Sequence, residues 1–195
     1  MDAGNDIASA KKEIRKRLLN IRKSIDKESR DGYDKSILEK IVSLEQYRKA
    51  AVILTYASYN GEADTYGIIE RALKDGKKVA CPVCELSTGE PLLDFYYISS
   101  RNDLREGYKG IPEPDTGSCV RTAKEDMDGA LVIVPLVGYD DEGNRLGYGK
   151  GFYDRFLAAN KSVYPVGIAY SCQRTEKLPV DRYDIKPGSI LTELC

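Results

Sequence analysis

Two stretches of strand length, Val52 to Ala57 and Ala130 to Val134, carry apolar side chains in both of their alternating sets of positions. Successive side chains on a strand point to opposite faces. A strand that is apolar on both faces is covered on both, as in parallel sheets flanked by helices. Lys78 to Cys84, Leu93 to Ile98 and Tyr164 to Tyr170 read as further strands, with Ile190 and Leu191 as a last short one. Segments of helical period separate them. The expected fold is a single α/β domain over residues 1–195, with a largely parallel central sheet and helices on both faces.

The helical segments are read from their apolar spacing. Residues 1–8 are expected to fray. From Lys11 onward, Ile14, Leu18, Ile21 and Ile25 recur at intervals of four, three and four, forming one apolar stripe. The same helix is strongly basic. Lys11, Arg15 and Arg22 fall on one line along the edge of that stripe, while Lys12, Lys16, Arg17 and Lys23 read as a solvated face. A second helix is expected from Lys27 to Leu44. A third starts at a Thr65 cap, runs through Leu73 and stops at Gly76. Residues 104–128, rich in Gly, Pro and charge, read as irregular. The last helix is expected from Lys150 to Asn160, with Phe152, Phe156 and Leu157 facing inward.

Composition removes several chemistries. The chain has no histidine, which excludes Ser-His and Cys-His nucleophilic pairs, His-ligated zinc and a histidine general base. Lys and Arg total 30 against 31 Asp and Glu, whereas a nucleic-acid-binding protein usually carries a basic excess. The longest apolar run, Ala130 to Val137, is too short to cross a bilayer, and the polar start resembles no signal peptide. A cytosolic monomer with no membrane or nucleic-acid partner is expected. The five cysteines, an odd number without framework spacing, are expected to be free thiols. Cys81 and Cys84 form a C-x-x-C, but in a strand they point to opposite faces, so buried thiols are expected rather than a redox pair.

The informative loop runs from Pro135 to Gly149, between the most apolar strand and the last helix. Gly147, Gly149 and Gly151 alternate, which opens backbone conformations closed to other residues. Their N–H groups can then form an anion nest, reinforced by the start of the following helix. Lys150 and Arg145 add full positive charge. Asp154, one turn into the helix, can hold Mg²⁺ against the same phosphates. The loop contains neither the G-x-x-x-x-G-K-[ST] string nor G-x-G-x-x-G. Taken alone, it fits a glycine turn, a non-catalytic nucleotide-binding module or a phosphoryl-transfer site.

Residues 144–155, NRLGYGKGFYDR, preceded by PLVGYD at 135–140, closely resemble the signature of 5-formyltetrahydrofolate cyclo-ligases. Other segments resemble that family in the same order: KKEIR at 11–15, Tyr56 through Glu62 to Thr65, Leu178 to Val180, Asp184, and Leu191 to Glu193. This chain has Phe152-Tyr153 where many members carry two tyrosines, and Tyr183 before Asp184 where members often have histidine.

The resemblance implies an ATP- and Mg²⁺-dependent ligase. It would convert 5-formyltetrahydrofolate to 5,10-methenyltetrahydrofolate and release ADP and phosphate. ATP would lie against Lys11, Lys12, Glu13, Ile14 and Arg15, and against Arg145, Leu146, Gly147, Tyr148, Gly149, Lys150, Gly151, Phe152 and Tyr153. The folate would contact Ala57, Glu62 and the stretch Tyr148, Gly149, Lys150, Gly151 and Phe152. Asp154 and Asp184 would hold the metal, with Lys150 and Arg145 as catalytic cations.

Overall fold

A computed structural model describes residues 3–86 and 89–194. Met1, Asp2 and Cys195, which the sequence reading covers, lie outside the described residues. The chain opens with α1 (Ala3–Lys23), α2 (Lys27–Ser43) and the short α3 (Glu45–Lys49). It continues through β1 (Val52–Leu54), α4 (Tyr66–Lys74), β2 (Lys78–Glu85) and β3 (Leu92–Ile98). Two small hairpins follow, β4 (Leu104–Glu106) with β5 (Pro112–Pro114) and, after β6 (Leu131–Pro135), β7 (Gly138–Tyr139) with β8 (Arg145–Leu146). The chain then runs through α5 (Phe152–Ala159), β9 (Tyr164–Ile168) and β10 (Ser189–Leu191).

The main sheet has the order β10-β9-β6-β1-β2-β3 and is parallel except for β3. Alternation along its strands builds two cores. Ile53, Leu131, Ile133, Val166 and Ile168 meet Ile37 and Ile41 of α2 and Ile68 and Ile69 of α4. Val52, Leu54, Val132 and Val134 meet Phe156 and Leu157 of α5 on the other face. Each such fully buried aliphatic contributes about 1.5–3 kcal/mol relative to exposure. Every residue from Val52 to Ala57 and from Ala130 to Val137 is buried, as two-sided apolar runs require.

Strand order positions the site. β1 leads through α4 to β2 on one side, and its neighbour β6 leads through α5 to β9 on the other. The two helices cover opposite faces. The loops leaving β1 and β6 therefore diverge, and the crevice at such a switch point is where open α/β sheets bind ligands. Helix α1 lies across these carboxyl ends. Its Leu18 packs so closely on Gly138 that a Cβ there would stand 2.2 Å from Leu18 Cδ1.

Several local expectations need correction. The first helix begins at Ala3, so residues 3–8 are helical rather than frayed. Its apolar stripe is buried only in part: Leu18 is 1% exposed but Ile21 is 38% exposed, while the basic line is buried at Lys11 and Arg22, 9% and 1% exposed. Thr65 precedes α4 but does not cap it. The Asp64 carboxylate accepts from the Tyr66 and Gly67 N–H groups, while the Thr65 hydroxyl donates to the Tyr56 carbonyl. Part of 104–128 and part of 135–149 form the two small hairpins. The four cysteines among the described residues are free. Cys81 is buried, and burial, helped by Glu113, pushes the Cys84 thiol up to about 12, far from a reactive thiolate. No described helix is long and apolar enough to cross a membrane.

Candidate active site

Three side chains of α1 at positions 11, 15 and 22 reach the loops at the end of the sheet. Lys11 Nζ donates to Asp181 Oδ2 at 2.9 Å and to Asp184 Oδ2 at 2.5 Å. Burial works against the Lys11 charge, but these two carboxylates outweigh it and hold the ammonium above its ordinary range. Arg15 Nε donates to the Gly147 carbonyl at 2.7 Å. Its guanidinium packs over Gly149, where a Cβ would come within 3.1 Å and where φ is +91°, a backbone conformation that favours glycine. Arg22 Nη2 donates to the Asn60 carbonyl at 3.1 Å and to the Tyr148 hydroxyl at 3.0 Å.

The base of the glycine loop is held from below. Asp140, 2% exposed, accepts from the N–H groups of Glu142, Asn144 and Leu178 and from the Asn144 side chain. Burial opposes the Asp140 charge, and these bonds outweigh it, keeping the carboxyl below its usual range. One carboxylate thereby joins the β7–β8 turn to the segment that leads to Asp184. Gln173, also buried, donates to the carbonyls of Leu136 and Val137 at the end of β6.

Arg145, expected to face the triphosphate, is held inside the protein. Its side chain is only 4% exposed and is engaged by Asp154 Oδ1 at 2.6 Å and by the Ile185 carbonyl at 2.9 Å. Asp154 Oδ1 also accepts from the Ile185 N–H. Each expected metal carboxylate is thus paired with an expected cation, Asp154 with Arg145 and Asp184 with Lys11. The other oxygens, Oδ2 of Asp154 and Oδ1 of Asp184, accept no hydrogen bond from the described residues. No group of three or more His, Cys, Asp or Glu side chains able to hold a metal occurs among the described residues. Two carboxylates with one open oxygen each suit Mg²⁺, which fills its remaining positions with phosphate and water.

Across the crevice, the loop after β1 presents Glu62. Its Oε1 accepts the Tyr148 hydroxyl proton at 2.6 Å, and its Oε2 accepts from the Tyr59 N–H at 2.9 Å. Burial raises the Glu62 pKa despite these bonds and the nearby Arg22. Ala57 is buried at the end of the same apolar run. Tyr148 is 47% exposed and Phe152 and Tyr153 are half-buried. The Phe152 ring meets Tyr108 edge-on at 6.4 Å, and the Tyr153 hydroxyl is buried without a partner among the described residues.

The structure therefore brings together Lys11, Arg15, Arg145, Asp154, Asp184, Glu62 and the 147–153 loop. Lys150 is exposed on that loop, and its side chain makes no hydrogen bond or ion pair with the described residues. Lys12 and Glu13 are exposed on α1, away from the buried line, and Ile14 is half-buried. Leu146 is buried, and its carbonyl accepts from the Val137 N–H. Arg22, Asp140 and Asp181 are not among the expected site residues. Arg22 carries a signal, since it falls on the same helical line as Lys11 and Arg15. Asp140 and Asp181 carry none beyond their place near the motifs.

Comparison with known proteins gives the family and the fold. The sequence profile of the 5-formyltetrahydrofolate cyclo-ligase family matches residues 7–193. The chain is 33% identical over 183 residues to the 5-formyltetrahydrofolate cyclo-ligase of Haemophilus influenzae, covering 93% of this chain and 96% of that protein. It is 35% identical over 146 residues to the enzyme of that name from Escherichia coli K12, covering 73% of this chain and 78% of that one. The NMR structure of Aquifex aeolicus 5,10-methenyltetrahydrofolate synthetase superimposes with a TM-score of 0.75 at 34% identity, covering 94% of this chain and 89% of that one. The synthetase of Mycoplasma pneumoniae, at 22% identity and a TM-score of 0.73 over 94% of this chain and 98% of that one, shares the fold. A family match over nearly the whole length, on a chain whose signature loop sits at the switch point of the sheet, has one meaning: this chain belongs to the 5-formyltetrahydrofolate cyclo-ligase family.

Proposed function

We propose that this crevice carries out the ATP-dependent cyclisation of 5-formyltetrahydrofolate to 5,10-methenyltetrahydrofolate, with release of ADP and phosphate. The observation that carries the reading is the meeting of two loops: Glu62, after β1, is hydrogen-bonded to Tyr148 of the cation-bearing glycine loop after β6. A folate and a nucleotide approaching from the two sides would meet there.

The chemistry asks for positioning and charge rather than a covalent nucleophile. The formyl oxygen on N5 is a poor leaving group. Accepting the γ-phosphoryl group makes it a good one, after which N10 attacks the formyl carbon, phosphate departs and the N10 proton is lost. Lys150 and Arg15 supply positive charge where the phosphoryl oxygens develop negative charge. Lys11 turns from Asp184 toward a phosphate, leaving that carboxylate to a cation. Arg145 stays on Asp154 and holds it in place. Asp154 and Asp184 would hold Mg²⁺, which neutralises the polyphosphate. Glu62 accepts hydrogen bonds from the pterin N–H groups, and Tyr148 and Phe152 offer flat faces to the ring system. None of these roles needs the missing histidine. The near-balanced charge supports small-molecule partners rather than nucleic acid.

Protein mixed with ATP, Mg²⁺ and 5-formyltetrahydrofolate is expected to develop the absorbance band of the methenyl product. ADP should form in equal amount, and only when the folate is present. ATP binding with no folate-dependent ADP would instead identify a non-catalytic nucleotide-binding module.

Glu62→Gln is expected to weaken folate binding about ten- to a hundred-fold, from the loss of a charged hydrogen-bond acceptor worth about 1.5–3 kcal/mol. ATP affinity should stay near wild type. Because burial raises the Glu62 pKa, the carboxylate is available above that value and lost as the pH falls through it. The wild-type rate at low folate should accordingly drop on the acid side above the usual carboxylate range, and Glu62→Gln should lack that limb. Calorimetric titration with each ligand, and pH profiles of both proteins, check this. Equal losses for both ligands would make the loop structural.

A further inference from the structure

We propose that Arg22 is a positioning residue for folate recognition, acting through the Tyr148 hydroxyl to hold the Glu62 carboxylate in its receiving geometry. The inference rests on the reading of Glu62 as the folate-side acceptor.

Arg22 is the largest fully buried side chain among the described residues, at 1% exposure. No carboxylate lies within ion-pair distance of it among those residues. Burying a cation without a directly paired anion is costly. Its Nε is buried without a partner among the described residues, so the site is not arranged for the best local stability.

What Arg22 does make is a bridge. From α1, Nη2 reaches the Asn60 carbonyl on the folate-side loop and the Tyr148 hydroxyl on the glycine loop, and the guanidinium stands 5.9 Å from the Tyr148 ring centroid. The direction of the chain of bonds is forced. A guanidinium only donates, so the Tyr148 oxygen must accept from Arg22 and direct its single proton elsewhere. That proton goes to Glu62 Oε1, while the Tyr59 N–H fixes Oε2. Arg22 thereby transmits its charge to Glu62 one hydroxyl away and orients both loops at once. Tyr148 needs this hold, because it is half-exposed between two glycines.

The test compares Arg22→Met, Arg22→Lys, Tyr148→Phe, Arg22→Met with Tyr148→Phe, and Glu62→Gln in steady-state assays with each substrate varied. Arg22→Met and Tyr148→Phe are each expected to raise the folate KM about tenfold, the worth of one hydrogen bond to a charged group, with the ATP KM within about twofold of wild type. Arg22→Lys should recover part of the loss. The double variant should be no worse than the weaker single, because both remove one path. Independent, multiplying effects would overturn the proposal, as would a folded Arg22→Met enzyme with normal folate KM. If Arg22→Met does not fold, Tyr148→Phe and Arg22→Lys decide, and an unchanged folate KM in both overturns the proposal. An unchanged folate KM in Glu62→Gln would instead sink the underlying reading of Glu62. A raised one in Glu62→Gln alone would leave that reading intact and remove Arg22.

Discussion

Lys150→Ala is expected to lower kcat on the order of a hundred-fold or more, the usual loss when one preorganised positive group is removed from a developing charge. The motive is local. Lys150 stands between Gly149 and Gly151 at the entrance to α5, exposed and unpaired among the described residues. Every other cation of the site is held by protein: Lys11 by Asp181 and Asp184, Arg145 by Asp154, Arg15 by the Gly147 carbonyl. Lys150 alone among them is free to meet a phosphoryl group without first giving up a partner. For the same reason its loss should leave stability unchanged, since exposed substitutions away from special features usually fall within about 0.5 kcal/mol. Steady-state rates and thermal melts of the two proteins make the comparison. A normal kcat in Lys150→Ala would return the glycine loop to the role of a turn.

Asp154→Asn is expected to act differently on every axis. Replacing a carboxylate oxygen by a neutral amide oxygen should raise the Mg²⁺ concentration for half-maximal rate, and excess Mg²⁺ should restore part of the activity. No excess of Mg²⁺ should rescue Lys150→Ala. Asp154 also neutralises the Arg145 guanidinium, whose side chain is 4% exposed. An asparagine side chain at this position would keep an oxygen for Arg145 and for the Ile185 N–H but lose the charge. The melting temperature should therefore fall by a few degrees, as for a loss of about 1–2 kcal/mol in a domain of this size. Rates across a Mg²⁺ series, with melts of both variants, test the pair. A Mg²⁺ curve matching wild type together with a lowered melting temperature would confine Asp154 to holding Arg145.

The contrast between these two residues marks how far the sequence can be read. Lys150 and Asp154 sit four apart in one motif, and both are legible in it. That Lys150 is free while Asp154 is occupied depends on Arg145 and Ile185, which the hairpin and the C-terminal segment bring in from opposite directions. The helix α1 makes the same point. Its existence follows from periodicity, but its orientation does not. Apolar spacing favours burying the line of Ile14, Leu18, Ile21 and Ile25, whereas the folded protein leaves Ile21 exposed and buries Lys11 and Arg22. The partners that make those charges tolerable, Asp184 for Lys11 and the Asn60 carbonyl and Tyr148 hydroxyl for Arg22, are 173, 38 and 126 residues away in sequence.

By itself the sequence determined the main strands and helices, the parallel character of the sheet, the resemblance to the family and the glycine loop proposed to meet the phosphates. The elements, the sheet and the loop follow from interactions between near neighbours along the chain, namely alternation on strands, helical spacing and glycines that permit a backbone nest, whereas the family was a resemblance of motifs. The strand order decided the rest, because it determines which distant loops share an end of the sheet. Only when β6 lies beside β1 do the loops bearing Tyr148 and Glu62 meet. Only then does α1, laid over both, find acceptors for its buried cations, carboxylates for Lys11 and neutral oxygens for Arg22.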